Sequence, residues 1–292
     1  MTASTPSATQ ACAFGMRSRK HIAPFALARP RSISEACAEM AASPHARFMA
    51  GGLDLIDAMK SGTHYEKIIA LDGVTDLRAI RREGASVFIG ALATHADTAS
   101  SEVLAAALPD LQRIWRGLAN PRIRHVGTIG GNIMAGAAHY DAAPACLALG
   151  ASARLMDAEG RQHVVEIGDV SAWPGALLEG VTIPVTPGLR LLGERSLHPM
   201  LTVYLGGAQE GESWSGLRLA IGCAFARPLR IDLPLAGMDG RQLRSAAADI
   251  AQEVAATVPE PVGDTLASSA YRRRMIGVLT RRLLTALAGD AS

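Results

Sequence analysis

Two short glycine-rich stretches constrain this chain more than any other feature. Gly51-Gly52 follows a strand-like apolar run and precedes a helical pattern, and Gly127, Gly130 and Gly131 lie within five positions further along. Glycine has no Cβ, so the backbone there can approach a ligand closely. The start of a helix also presents unpaired N–H groups and the positive end of its dipole to an anion. Each stretch alone is more typical of a tight turn, but together they could hold a diphosphate from two sides.

The second stretch reads as a loop dense in exposed backbone donors, supplemented by the side chains of Thr128 and Asn132. Neither stretch has the GxGxxG spacing of a Rossmann site or the GK[ST] ending of a Walker loop. The pattern therefore disfavours a Rossmann dehydrogenase and a nucleoside triphosphatase.

Metal and nucleophile signatures are missing from the sequence. Cys12, Cys37, Cys146 and Cys223 lie far apart without a CxxC pair, and there is no HExxH or GxSxG motif. We therefore expect no metal site and no catalytic side chain on this chain, and we interpret the cysteines as structural or incidental.

Composition excludes other classes of protein. The chain has 292 residues with 29 basic and 27 acidic side chains, so its formal charge of +2 gives no strong field toward nucleic acid or an anionic membrane. Its apolar runs are far shorter than the roughly 18–20 residues of a spanning helix. No secretory signal pattern is evident at the N-terminus. We expect a cytoplasmic protein without membrane insertion.

Alternating strand and helix patterns indicate an α+β fold of two domains. Residues 1–23 read as a flexible tail. A first domain is predicted over 24–188, in two lobes of about 24–80 and 81–188, followed by an α+β domain over 192–290. Along the first domain, the spacing predicts a helix capped by Ser32, a helical stretch interrupted at Pro109 and a hairpin around Asp157–Gly160. In the second domain it predicts two helices, over Arg241–Thr257 and Tyr271–Leu287.

Both glycine stretches carry a family resemblance. ARFMAGGLDLIDAMKSG and NPRIRHVGTIGGNIMAG resemble the two flavin motifs of the FAD-binding medium subunit of molybdenum hydroxylases, a family that includes the carbon monoxide dehydrogenase medium chain and the xanthine dehydrogenase flavin domain. Flanking stretches extend the resemblance over about residues 24–290. It implies a two-lobed FAD-binding domain of the PCMH type and a C-terminal domain of the carbon monoxide dehydrogenase flavoprotein type.

The resemblance implies a set of FAD-binding residues, with the first motif around the diphosphate and ribityl chain and the second on the opposite side. They are Ala50, Gly51, Gly52, Leu53, Asp54, Leu55, Thr94, Gly127, Thr128, Ile129, Gly130, Gly131, Asn132, Asp141 and Arg195.

Some positions leave alternatives open or depart from the family. Asp141 matches a flavin-contacting aspartate of the family, but its position also suits the N-cap of the following helix. Arg195 stands roughly where relatives have a lysine. Leu53 replaces a small polar residue, and the region from Ala158 to Leu192 is short.

By resemblance, the chain is an electron-transfer subunit. Its FAD would receive electrons from the [2Fe–2S] clusters of a small partner subunit and pass them to an external acceptor, while a large molybdopterin subunit oxidises the substrate, in a dimer of heterotrimers. Two alternatives remain: a free-standing FAD-dependent oxidoreductase, and a non-enzymatic protein that retains the fold. The sequence identifies neither the substrate nor the acceptor.

Overall fold

The computed structural model describes residues 22–43, 45–196 and 200–289. The predicted N-terminal tail lies almost entirely outside this part of the chain. Three separate sheets organise the described residues, with three, five and four strands in chain order. Helices cover each of them, so the α+β class is confirmed.

The first sheet is a small parallel one in the order β1-β3-β2. Its elements are β1 (Ala26–Ala28), α1 (Ile33–Ala41), β2 (Ala46–Met49), α2 (Leu53–Lys60) and β3 (Lys67–Ala70). The predicted cap of α1 is confirmed, since the Ser32 side chain accepts a hydrogen bond from the Glu35 N–H at 3.1 Å. The apolar face of α1 packs on this sheet through Ala36, Cys37 and Met40.

The second sheet is antiparallel, in the order β4-β5-β8-β6-β7, and carries most of the short helices. Its elements are β4 (Ile80–Glu83), β5 (Ser86–Gly90), α3 (His95–Ser100), α4 (Glu102–Ala107), α5 (Pro109–Gly117), α6 (Pro121–Val126), α7 (Ile129–Met134), α8 (Ala142–Ala148), β6 (Ser152–Met156), β7 (Gln162–Glu166) and β8 (Leu177–Pro184). Pro109 begins α5, as the predicted interruption requires, because proline suits the first turn of a helix. The predicted hairpin is the antiparallel pair β6–β7.

The third sheet is antiparallel, in the order β12-β11-β10-β9, and two long helices cover it. Its elements are β9 (Leu189–Arg195), β10 (Thr202–Glu210), β11 (Ser213–Gly222), β12 (Leu229–Asp232), α9 (Gly240–Thr257) and α10 (Ser269–Gly289). Both predicted C-terminal helices are confirmed. The pattern did not predict β9, which pairs with β10 along its whole length.

Glycines allow the layers to meet through their backbones. An ideal Cβ on Gly51 would lie 1.9 Å from the Val126 carbonyl oxygen, which joins the end of β2 to the end of α6. A Cβ on Gly206 of β10 would lie 2.2 Å from the Ala148 carbonyl oxygen at the end of α8. Such distances leave no room for a side chain, so these contacts fix how the three sheets sit against one another.

Gly130 gives a stability test of this close packing. An alanine Cβ at this position would lie 2.5 Å from the Ala91 Cβ and 2.7 Å from the Ala91 carbonyl oxygen. We expect Gly130→Ala to lower the free energy of unfolding by about 1–3 kcal/mol in urea denaturation. The matched control is Gly117→Ala, since in the described residues no atom beyond its own helix backbone and chain neighbours lies within 4 Å of its Cβ position. That variant should be neutral or slightly stabilising, and equal losses in both would contradict this packing.

Candidate cofactor site

The two glycine stretches line one cavity between the first and second sheets. The cavity has a volume of about 730 Å³, within the range of small-molecule and cofactor sites. The predicted residues that line it are Ala50, Gly51, Gly52, Leu53, Asp54, Leu55, Gly127, Thr128, Gly130, Gly131 and Asn132. Thr94, Ile129, Asp141 and Arg195, also predicted, are placed outside the lining.

One wall of the cavity is the N-terminus of α2. Gly52 is its N-cap with a φ of +77°, a left-handed conformation that glycine adopts without strain. No side chain within the described chain caps this helix, so its first N–H groups and the positive end of its dipole are available to a ligand. This end of the cavity therefore favours an anion.

The opposite wall corrects one expectation from the sequence. Gly130 and Gly131 do not lie in an open loop but inside α7, which Thr128 caps by accepting a hydrogen bond from the Gly131 N–H at 3.0 Å. The Gly130 N–H donates to the Ala91 carbonyl at 2.9 Å. The interpretation as a loop dense in exposed backbone donors is wrong, because these amides pair with the end of the second sheet and with the helix cap.

Side chains supply the polar groups that this wall offers. The Thr128 hydroxyl accepts from Gly131, which leaves its own hydrogen as a donor. The Asn132 Oδ1 accepts from the Ala142 N–H at 3.0 Å. That bond identifies Oδ1 as the acceptor, so the NH₂ group of the Asn132 side chain is left as a donor. The site thus combines helix-terminal amides on one wall with side-chain donors on the other.

His95 is a neutral group at the floor of the cavity. It is 4% exposed, lines the cavity, and accepts a hydrogen bond at Nδ1 from the Trp115 Nε1–H at 3.1 Å. Burial lowers the pKa of His95 to about 4, so the ring carries its hydrogen on Nε2 near neutral pH. Its neighbour Thr94, predicted as a FAD contact, caps α3 in a capping box with Asp97.

Asp141 and Arg195 lie together at the junction of α8 with the third sheet. Asp141 accepts from the Arg195 Nη1 at 3.1 Å, the Thr202 Oγ1 at 3.2 Å and the Tyr204 Oη at 3.3 Å. Burial raises the pKa of Asp141 although Arg195 opposes this shift. The alternative of a side-chain N-cap is wrong, since the carboxylate makes no cap hydrogen bond. As contacts of a cofactor, both residues stay a prediction.

Sequence reasoning missed several lining residues. Tyr140, Trp173 and Arg227 line the cavity without belonging to either glycine-rich motif, and Arg47 lies in the first motif but was not predicted as a contact. Trp173 stacks on His163, with ring centroids 4.2 Å apart, and Arg47 lies over the ring of Tyr65. An aromatic or a basic residue outside a motif gives no signal in one sequence, because only tertiary contacts bring it to the site.

The described residues contain neither a metal-ligand cluster nor a helix that could span a membrane. No cluster of three or more histidine, cysteine, aspartate or glutamate side chains is placed to hold a metal ion. In the same part of the chain, every helix is too short or too polar to cross a membrane.

A cavity between two glycine stretches, with an uncapped helix N-terminus at one end, has the features that favour a phosphorylated cofactor. Residues 23–186 match the family model described as the FAD binding domain in molybdopterin dehydrogenase. The match spans more than half of the chain, which therefore belongs to this family. The predicted resemblance is thus confirmed, and the chain is an FAD-binding subunit of the molybdenum hydroxylase type, a flavoprotein part of an oxidoreductase.

Individual relatives agree with the family. The carbon monoxide dehydrogenase medium chain of Afipia carboxidovorans is 31% identical, with 87% of this chain and 93% of that protein covered. The xanthine dehydrogenase FAD-binding subunit of Escherichia coli is 26% identical, with 88% and 94% covered. The solved structure of reconstituted CO dehydrogenase from Oligotropha carboxidovorans superposes with a TM-score of 0.82 at 30% identity, covering 90% of this chain and 96% of that one.

The buried His95 predicts a pH dependence of stability. Histidine titrates near pH 6.5 in an unfolded chain, whereas the folded pKa is about 4. Below about pH 6.5 the unfolded state therefore binds a proton that the folded state does not. The stabilising contribution is complete above that pH, and we expect it to fall by about 2 kcal/mol between pH 7.5 and pH 5.

The measurement is urea denaturation at both pH values, with His95→Gln as the comparison. Glutamine keeps an acceptor for the Trp115 indole but has no titrating group. The variant should lose about 2 kcal/mol less than the wild type on acidification. Equal losses in the two proteins would show that His95 is not the responsible group.

Proposed function

We propose that this chain binds FAD in the described cavity and passes electrons from the [2Fe–2S] clusters of a partner subunit to an external acceptor. The observation that carries the proposal is the uncapped N-terminus of α2 facing a cavity that both flavin motifs line. A dinucleotide contains a diphosphate, and helix N-termini favour such anions.

The residues present fit this cofactor. Gly51 and Gly52 leave the diphosphate side of the wall without side chains, because neither has a Cβ. The amides that start α2 would bind phosphate oxygens, and the Thr128 hydroxyl and the Asn132 amide would donate from the other wall. His95, which is neutral near pH 7, adds a donor at Nε2. When bound, FAD supplies the redox chemistry, and the protein's part is to bind, orient and shield it.

Partner subunits belong to the same proposal. The matched relatives are named as medium chains or FAD-binding subunits, which implies further chains in their complexes. We infer a small subunit with iron–sulfur clusters and a large subunit with the molybdopterin cofactor. The dimer of heterotrimers, the cytoplasmic location and the division into 24–80, 81–188 and 192–290 stay predictions.

Leu53, the first residue of α2, tests the position of the diphosphate. It is 43% exposed and lines the cavity. An aspartate there should favour the helix through its dipole but repel a nearby phosphate. We expect Leu53→Asp to leave the free energy of unfolding of the apoprotein unchanged or higher, and to weaken FAD binding about tenfold in a fluorescence titration, or about 1.4 kcal/mol.

Leu53→Asn is the matched control for this experiment. It has nearly the shape of aspartate without the charge, so its affinity for FAD should stay within about threefold of the wild type. If both variants bind FAD equally, the diphosphate does not lie at the N-terminus of α2.

Purification from the native host tests the proposed partners. We expect the tagged chain to be yellow and to co-purify with two further subunits that together contain iron, acid-labile sulfide and molybdenum. Metal analysis and the flavin spectrum are the measurements. A yellow chain that turns over a substrate without partners would favour the free-standing oxidoreductase, and a colourless chain that cannot bind FAD would favour a non-enzymatic protein.

A further inference from the structure

A side-chain hydrogen bond joins two walls of the cavity. The Tyr140 hydroxyl donates to the Asp54 Oδ1, although the two residues are 86 positions apart. Asp54 belongs to the first turn of α2 on one wall, and Tyr140 to the segment 135–141 that joins α7 to α8 on the other. Both residues line the cavity. The bond therefore connects the two walls directly, independently of the backbone contact at Gly51.

This bond lies on the solvent side of the cavity. The floor is formed by buried residues of the second sheet and its helices, among them Ala91, Ile133 and Leu147. Asp54 is exposed and Tyr140 is half-buried. A ligand resting on the floor between the walls would thus have the Tyr140–Asp54 pair between itself and solvent.

Both ends of the pair are held in place. Asp54 is fixed by its helix, while the Tyr140 N–H donates to the Ala137 carbonyl at 3.0 Å. The Tyr140 ring packs edge-on against His139, with centroids 4.5 Å apart. At the other end of the segment, Gly136 has a φ of +61° and open space around its Cβ position. Between Gly136 and Tyr140, the Ala138 carbonyl accepts a hydrogen bond from the Cys223 N–H at 2.8 Å, so the backbone is held to the third sheet and the bond to Asp54 opens by rotation of the Tyr140 side chain.

The chemistry of the pair keeps the hydrogen bond formed near neutral pH. Burial and the neighbouring Asp54 carboxylate raise the pKa of the Tyr140 hydroxyl, so it remains a donor. A hydrogen bond to a charged acceptor is stronger than one between neutral groups. The bond also engages the Asp54 carboxylate, which lies on the turn of α2 that faces the proposed phosphate position.

We propose that the hydrogen bond between Tyr140 and Asp54 is a latch across the cavity that must open for FAD to enter or leave. The proposal rests on the proposed function, in which FAD occupies this cavity. A latch closes over both the empty and the filled site, so weakening it accelerates entry and release by similar factors. A residue that only contacts the ligand would change the release rate and leave the entry rate alone.

Tyr140→Phe in the full chain, with any co-purifying subunits, is the decisive variant. Phenylalanine keeps the ring against His139 but removes the donor. We expect both the association and the dissociation rate of FAD to rise about tenfold or more, with Kd within about threefold of the wild type. Stopped-flow flavin fluorescence on the apoprotein gives the first rate, and release into excess unlabelled scavenger apoprotein gives the second.

Two further variants control this measurement. Tyr271→Phe removes the hydroxyl of an exposed tyrosine on α10 and should leave both rates unchanged. The double variant Tyr140→Phe/Asp54→Ala should bind FAD with an association rate no higher than that of the faster of its two single variants, because either change breaks the same bond; the association rate is compared because a lost contact between Asp54 and FAD would change only release.

Each remaining outcome overturns the proposal. Unchanged rates in Tyr140→Phe, or faster dissociation with unchanged association, rule out a latch while leaving the proposed function intact. Additive effects in the double variant show that the two side chains act separately. If the wild-type chain does not bind FAD at all, the proposed function fails, and the latch fails with it.

Discussion

The contact between Gly51 and the Val126 carbonyl is the constraint on which the site depends. Each of the two glycine stretches belongs to a different sheet, and neither could form a cavity without the other. With 1.9 Å between a Cβ position on Gly51 and that oxygen, only glycine allows the backbones to meet. The N-terminus of α2 is consequently held opposite α7 at a separation that the chain itself fixes, before any ligand is present.

The two stretches therefore serve different physical purposes. In the first, Gly52 takes a left-handed conformation and leaves the helix uncapped, so backbone donors remain for a ligand. In the second, Gly130 packs against Ala91 and its amide is already paired. The two glycine stretches look alike in the sequence, but they differ in the structure. The first leaves a helix N-terminus open to an anion, and the second allows close packing between α7 and the end of β5.

The third sheet supports the site through a cluster of hydrogen bonds to Asp141 and does not form the floor of the cavity. Asp141, at the start of α8, is satisfied by Arg195, Thr202 and Tyr204 from β9 and β10. Removing a partner from a buried carboxylate is costly, so this cluster ties the segment before α8 to the third sheet. The C-terminal end of the segment 135–141, which contains Tyr140, is thus held to the third sheet by these hydrogen bonds.

The sequence by itself determined the α+β class, most long elements and the two stretches that line the cavity. Helical spacing, caps such as Ser32 and breaks such as Pro109 are local signals, because they set where a helix begins or ends through residues close together in the chain. Only the tertiary structure decided that the amides of Gly130 and Gly131 are occupied, that β9 pairs with β10, and that Tyr140 meets Asp54. Those outcomes depend on which groups distant parts of the chain bring within hydrogen-bonding distance, and no local pattern encodes that.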